Sequence, residues 1–171
     1  FIGRYSSPHP RDFTTESFKL RSTASGEMPT DQDLFRTVTQ GIPGYMPSFT
    51  GLTEEERWEV IAYIKAFNPA FKEDKPVPIA VPDPPFPPSD ASIENGRKLY
   101  VKYSCHSCHG NNGYGDGPES MKGNLKDGRG RSISAGNLSD RSSLKNGSMP
   151  RDIYRSLMTG LDGPPMRSFA D

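Results

Sequence analysis

"YSCHSCHGNNGYGDGP", Tyr103–Pro118, contains both cysteines of the 171-residue chain, two of its three histidines and four glycines. Two thiols and an imidazole fall within Cys105-His106-Ser107-Cys108-His109, and a glycine-rich loop follows directly. The composition sharpens the question of what this stretch does. Only 32% of residues are hydrophobic, against about 45–50% in ordinary domains. Gly and Pro contribute 17 residues each. A chain this poor in apolar side chains struggles to build a core from them alone. It is either partly disordered or organised around something large and apolar that it binds.

The form C-x-x-C-H supplies such a partner. Thiols three positions apart lie on one side of a helical turn, where they can add across the two vinyl groups of a haem. The histidine after the second cysteine then presents its imidazole to the iron. On this reading Cys105 and Cys108 attach the cofactor, His109 is the proximal ligand and His106 is a spacer. Three other chemistries compete. A structural zinc site needs a second ligand pair, but the chain has no further cysteine and only His9 elsewhere. A thioredoxin-like dithiol expects a βαβ setting, and no strand pattern precedes Cys105. A plain disulfide leaves His109 and the glycines unexplained.

The flanks fit haem. "ASIENGRKLYVKYS", Ala91–Ser104, reads as a helix with Ile93, Leu99 and Tyr100 or Tyr103 toward one face. Gly96 within it costs about 1 kcal/mol relative to Ala, which a close helix–helix contact would explain. Gly110, Gly113, Gly115 and Gly117 permit positive φ, so the backbone can wrap a flat ligand. "GRKLYVKYSCHSCHGNNGYGDGP" resembles the start of a class I cytochrome c domain, most of all the bacterial periplasmic type whose motif continues C-H-G-x-x-G-x-G-D-G-P. The resemblance implies an all-α fold of cytochrome c-like helical domains around haem. It also implies a backbone carbonyl near Pro118 accepting the proximal His Nδ1–H.

Six methionines compete for the distal position: Met28, Met46, Met121, Met149, Met158 and Met166. An internal repeat narrows the choice. "DLFRTVTQGIPGYMPSF", Asp33–Phe49, matches "DIYRSLMTGLDGPPMRSF", Asp152–Phe169, with one extra residue before the second methionine. Each copy reads as a short amphipathic helix, a glycine C-cap, a Pro/Gly loop, a Met, and a Phe three residues later. The family's ligand loop has this form. It implies Met166 as distal ligand of the haem held by Cys105 and Cys108, and Met46 as ligand of a second haem. Met28 and Met149 also repeat, each within Gly-x-Met-Pro, so Met149 stays open as the rival of Met166. Met158 reads as core and Met121 as a polar-loop residue with no specific task.

"TGLTEEERWEVIAYIKAF", Thr50–Phe67, follows only the first copy. Thr53 and Glu56 form a capping box, and Trp58, Ile61 and Ile64 make an apolar stripe expected to bury against a helix absent from the chain. The segment resembles the last helix of a cytochrome c domain, whereas no C-x-x-C-H precedes Met46. The expected organisation is therefore residues 1–68 as the back part of a first domain, 69–90 as a linker, and 91–171 as a second domain lacking its last helix, in a di-haem protein shortened at both ends. The rival arrangement is one circularly permuted unit, with Trp58 packed against the Ile93–Tyr100 helix. Asn68–Asp90 holds 8 of the 17 prolines and reads as an extended, semi-rigid spacer without helix. His9, between two prolines, reads as an exposed loop residue.

Formal net charge is zero, with 9 Lys and Arg against 13 Asp and Glu in residues 1–91 and 12 against 8 in residues 92–171. There is no dense basic run with interleaved aromatics, so no nucleic-acid partner is expected. No stretch is long and apolar enough to span a membrane. The expected function is electron transfer through haem c with His/Met ligation. The resemblance adds a periplasmic location and a place in a respiratory chain, as a carrier or as the cytochrome subunit of a larger oxidoreductase that is its redox partner. Two alternatives remain: a haem enzyme such as a di-haem peroxidase, which needs an open distal position, and a structural subunit whose first domain lacks haem, with Met46 an ordinary core residue.

Overall fold

The computed structural model describes residues 10–15, 18–85, 87–163 and 165–170. His9 lies outside them. The fold is helical: α1 (Asp31–Gln40), α2 (Glu54–Ala66), α3 (Ala70–Glu73), α4 (Asp90–Lys102), α5 (Cys105–His109), α6 (Pro118–Met121) and α7 (Pro150–Thr159). Two isolated antiparallel bridges, Ile42 with Met46 and Lys126 with Ser132, are the extended pairings among the described residues. The chain divides into two compact units. The first gathers the described residues of Phe1–Ala80, Arg155–Asp162 and Met166–Asp171, and the second those of Val81–Tyr154 and Gly163–Pro165.

The first unit is built on α1 and α2. Thr30 caps α1 by accepting from Asp33 N at 3.1 Å, and Asp33 Oδ2 accepts in return from Thr30 N at 3.0 Å. The same carboxylate takes Ser22 N and Ser22 Oγ, both at 2.8 Å, so its burial leaves it well satisfied. Thr53 and Glu56 form the expected box at the start of α2, with bonds of 3.2 and 2.7 Å. Phe18, Met28, Leu34, Val38 and Ile61 pack as one core cluster, and Ile61 is 2% exposed. Trp58 stacks on Phe35 of α1 with ring centroids 4.3 Å apart, and Arg57 lies over the same Phe35 ring. Within the first unit, Ile61 of the α2 stripe is thus buried and Trp58 stacks on α1, while Trp58 and Ile64 stay half-buried.

The proline-rich segment also differs from expectation, because one helical turn, α3, forms inside it. Pro69 stands at its N-cap, where proline costs no hydrogen bond. Asn68 Oδ1 accepts from Ala70 N at 3.0 Å, and Ala70 and Phe71 pack on the core. Beyond Asp74 the segment is extended, and Ile79 N donates to Ser22 O at 2.7 Å.

The second unit is organised differently. α4 is capped by Ser89 and runs where the sequence places it, but it buries none of its residues. Ile93 is 65% exposed and Leu99 50%. Gly96 has no neighbour among the described residues within 4 Å of where a Cβ would stand.

Candidate functional site

Cys105, Cys108 and His109 sit together on the single turn of α5, and no disulfide joins the two thiols. Ser104 turns the chain from α4 into α5 in a left-handed conformation, φ 58°. α5 packs against α4 on one side and α6 on the other. His109 Nδ1 lies 3.0 Å from the carbonyl oxygen of Gly136. As the donor in that bond, Nδ1–H fixes the ring tautomer and leaves Nε2 as the nitrogen available to a metal. The acceptor is therefore well downstream of Pro118. No sequence signal marks Gly136, because any residue supplies a carbonyl and only the fold selects which one.

The glycine loop holds the far side of α5. Gly115 N donates to His109 O at 2.9 Å and Gly117 N to Cys108 O at 3.2 Å. Gly110, Gly113 and Gly115 have positive φ, as expected. Gly117 does not. Its φ is −64°, and a Cβ there would stand 2.5 Å from Ser107 O, so close backbone approach selects the glycine. Tyr100 Oη donates to Gly110 O at 2.7 Å, tying α4 to the residue after His109. Burial pushes the Tyr100 pKa up, which keeps the hydroxyl a donor through neutral pH.

These residues fit a covalently held haem. The thiols share one helical turn without a disulfide between them, His109 is oriented by a backbone carbonyl, and the adjoining α4 offers apolar surface. The described residues contain no cluster of three or more His, Cys, Asp or Glu that could hold a bare metal ion.

The two methionine loops share a backbone template. Phe49 N donates to Val38 O and Phe169 N to Leu157 O, at 3.2 and 2.9 Å. Ile42 N donates to Met46 O and Leu161 N to Met166 O, both at 2.9 Å. Ser48 Oγ bonds Thr39 O as Ser168 Oγ bonds Met158 O. Gly41 and Gly160, with φ 71° and 63°, turn each helix into its loop. Both Met46 and Met166 are half-buried and belong to the first unit. Met46 also packs against the core cluster. Met28 and Met149 do not share an environment: Met28 is a core residue, whereas Met149 is exposed at the start of α7. Met121 is exposed and Met158 half-buried.

Among the described residues no helix is long and apolar enough to cross a membrane. Residues 93–169 match the Cytochrome c family, and residues 15–64 match the family of Cytochrome C oxidase, cbb3-type, subunit III. No curated protein matches the sequence. A solved structure, a chain of the reducing HAO-like protein complex of Kuenenia stuttgartiensis, is 38% identical with a TM-score of 0.91. The likeness covers 99% of this chain and 77% of that one. With the haem-attachment turn, the oriented histidine, the helical fold and this extended likeness together, the chain belongs to the cytochrome c family.

Proposed function

We propose that this cytochrome transfers electrons through a haem c held by Cys105 and Cys108, with His109 as proximal and Met166 as distal ligand. The observation that carries the reading is the 3.0 Å bond between His109 Nδ1 and Gly136 O, which commits Nε2 to the iron side of the ring. When bound, haem supplies a one-electron iron couple whose potential a methionine ligand raises. The chain's residues do the rest. Cys105 and Cys108 would hold the cofactor, Gly136 and Tyr100 hold the histidine and the residue after it, and Met166 would supply the sulfur. Were His109 and Met166 both to ligate the iron, the haem would serve electron transfer rather than substrate binding. Replacing Met166 with His tests the ligand set. The sulfur-to-iron band in the far red is expected to vanish and the potential to fall. If Met149→His does this instead, Met149 is the ligand.

The matched loop around Met46 supports a second haem ligated by Met46, making the functional protein di-haem. Its attachment cysteines are not among these residues, which include only Cys105 and Cys108. A haem-less first domain is the second reading, favoured by the packing of Met46 against Phe18 and its neighbours. A periplasmic location accords with thioether attachment in an oxidising space. A place as the cytochrome subunit of a larger oxidoreductase, in a respiratory chain, accords with the likeness to a chain from a redox-named protein complex. Co-purification of the native protein with such an oxidoreductase tests the last point.

A further inference from the structure

Arg21 is 0% exposed. Its guanidinium donates from Nε to Ala24 O at 3.0 Å and from Nη1 to Phe18 O at 3.1 Å. Both of these bonds are local. Nη2 instead reaches across 138 and 141 positions of sequence, to Thr159 O at 3.0 Å and Asp162 Oδ1 at 2.9 Å. Thr159 is the last residue of α7, where free carbonyls and the negative end of the helix dipole favour a cation. Asp162 lies inside the second methionine loop, between the Gly160 turn and Met166. Ser25 Oγ adds a bond to the same Oδ1 at 3.3 Å. Asp162 Oδ2 is buried and makes no hydrogen bond among the described residues, so the carboxylate's charge is balanced through Arg21.

The first loop lacks this device. Ile42 is followed by Pro43 where Leu161 is followed by Asp162 in the second copy. At the end of α1, Thr39 Oγ1 accepts from Arg57 Nη1 at 2.8 Å. Two loops with one backbone template thus differ in a buried ion pair at the base of the second, reaching back to Arg21 upstream of the first copy. Buried pairs contribute little net stability against an apolar replacement, and their best-attested use is to fix one arrangement over others. A planar guanidinium whose Nε and Nη1 are held locally, and whose Nη2 donates to both a helix-end carbonyl and a loop carboxylate, does this with a defined geometry.

We propose that Arg21 is a positioning residue for Met166. By clamping Thr159 and Asp162 it holds the base of the loop that leads to Met166, so a side chain upstream of the first copy sets how firmly the Met166 sulfur is presented. The spectroscopic consequence rests on Met166 being an axial ligand; the clamp itself does not.

The test uses the holoprotein and three variants, Asp162→Asn, Arg21→Lys and Arg21→Met, each compared with wild type at equal helicity. Asp162→Asn keeps the shape of the loop, so it remains informative if Arg21→Met fails to fold. Two quantities are read: amide exchange at Leu161, whose N–H bonds Met166 O, and the imidazole concentration that displaces the far-red sulfur band. In Asp162→Asn, exchange at Leu161 is expected to quicken, and the imidazole requirement to fall, about tenfold or more each. Exchange at Gly41, in the unclamped loop, should stay unchanged. Arg21→Lys keeps the charge but not the fork and should fall between. Unchanged Leu161 exchange in both Asp162→Asn and Arg21→Lys overturns the clamp. Faster exchange with unchanged imidazole affinity overturns the positioning role. The ligand reading is checked separately by Met166→His. If the band survives there, that reading fails, and Leu161 exchange alone decides whether Arg21 holds the loop.

Discussion

The first unit closes a core of its own side chains, whereas the second leaves apolar side chains exposed along α4 and gathers its backbone around α5. Phe18, Met28, Leu34, Val38 and Ile61 fill the first. Among the described residues of the second, Leu125 is the buried hydrophobic side chain. Local signals are equally strong in both, since α1, α2 and α4 each carry a capping box. The difference teaches that helix propensity and capping write the elements, while what fills the space between them can come from side chains in one unit and from a prosthetic group in the other. In the second unit the bonds that are specified run to the motif: Gly115 and Gly117 to His109 and Cys108, Tyr100 to Gly110, and His109 to Gly136.

Changes to the two units should therefore have unlike effects. The largest is expected from replacing Cys105 and Cys108 with Ser together. Amide protection of α4, α5 and the 110–117 loop should collapse toward that of an unfolded chain, while α1 and α2 keep theirs, because isolated short helices are marginal in water. Uniform loss of protection across both units would break the contrast.

Ile61→Ala comes next, with a cost of about 2–5 kcal/mol in denaturant unfolding of the first unit and no change in the haem spectrum. A third test sharpens the repeat rather than the core. Gly41→Ala and Gly160→Ala should each destabilise by about 1–2 kcal/mol or more. Positive φ is costly for Ala, and the added Cβ would meet Met46 O at 2.4 Å or Ser168 N at 2.6 Å. Equal costs would support one shared loop template. The smallest effect is expected from Tyr100→Phe, about 0.5–1.5 kcal/mol for the lost bond to Gly110 O, confined to the second unit.

Much of this was legible in the sequence where chemistry or local geometry fixes spacing. C-x-x-C-H names its cofactor because thioether attachment constrains both thiols and the following imidazole. The Thr53–Glu56 box and the repeated Gly–loop–Met–x–x–Phe segments are likewise local, and each appears in the structure with its expected bonds. What was not legible depends on tertiary approach. Trp58 stacks on Phe35 across the 41–53 connection, a contact no local pattern announces. Gly136 accepts from His109 through a backbone oxygen that carries no residue identity. Gly117 is glycine for want of space rather than for positive φ. Arg21 and Asp162 find each other across 141 positions, with no periodicity to announce the pair. α3 escaped notice because a proline at a helix N-cap reads the same as a proline in a spacer.

The claim that haem forms the centre of the second unit is tested most directly by the intact mass of the native protein after denaturation, read beside its pyridine haemochrome spectrum. A mass exceeding that of the polypeptide by covalently retained haem, with the spectrum of a haem whose two vinyl groups are saturated, is the expected result. A polypeptide that sheds all haem on denaturation, or carries none, would contradict it.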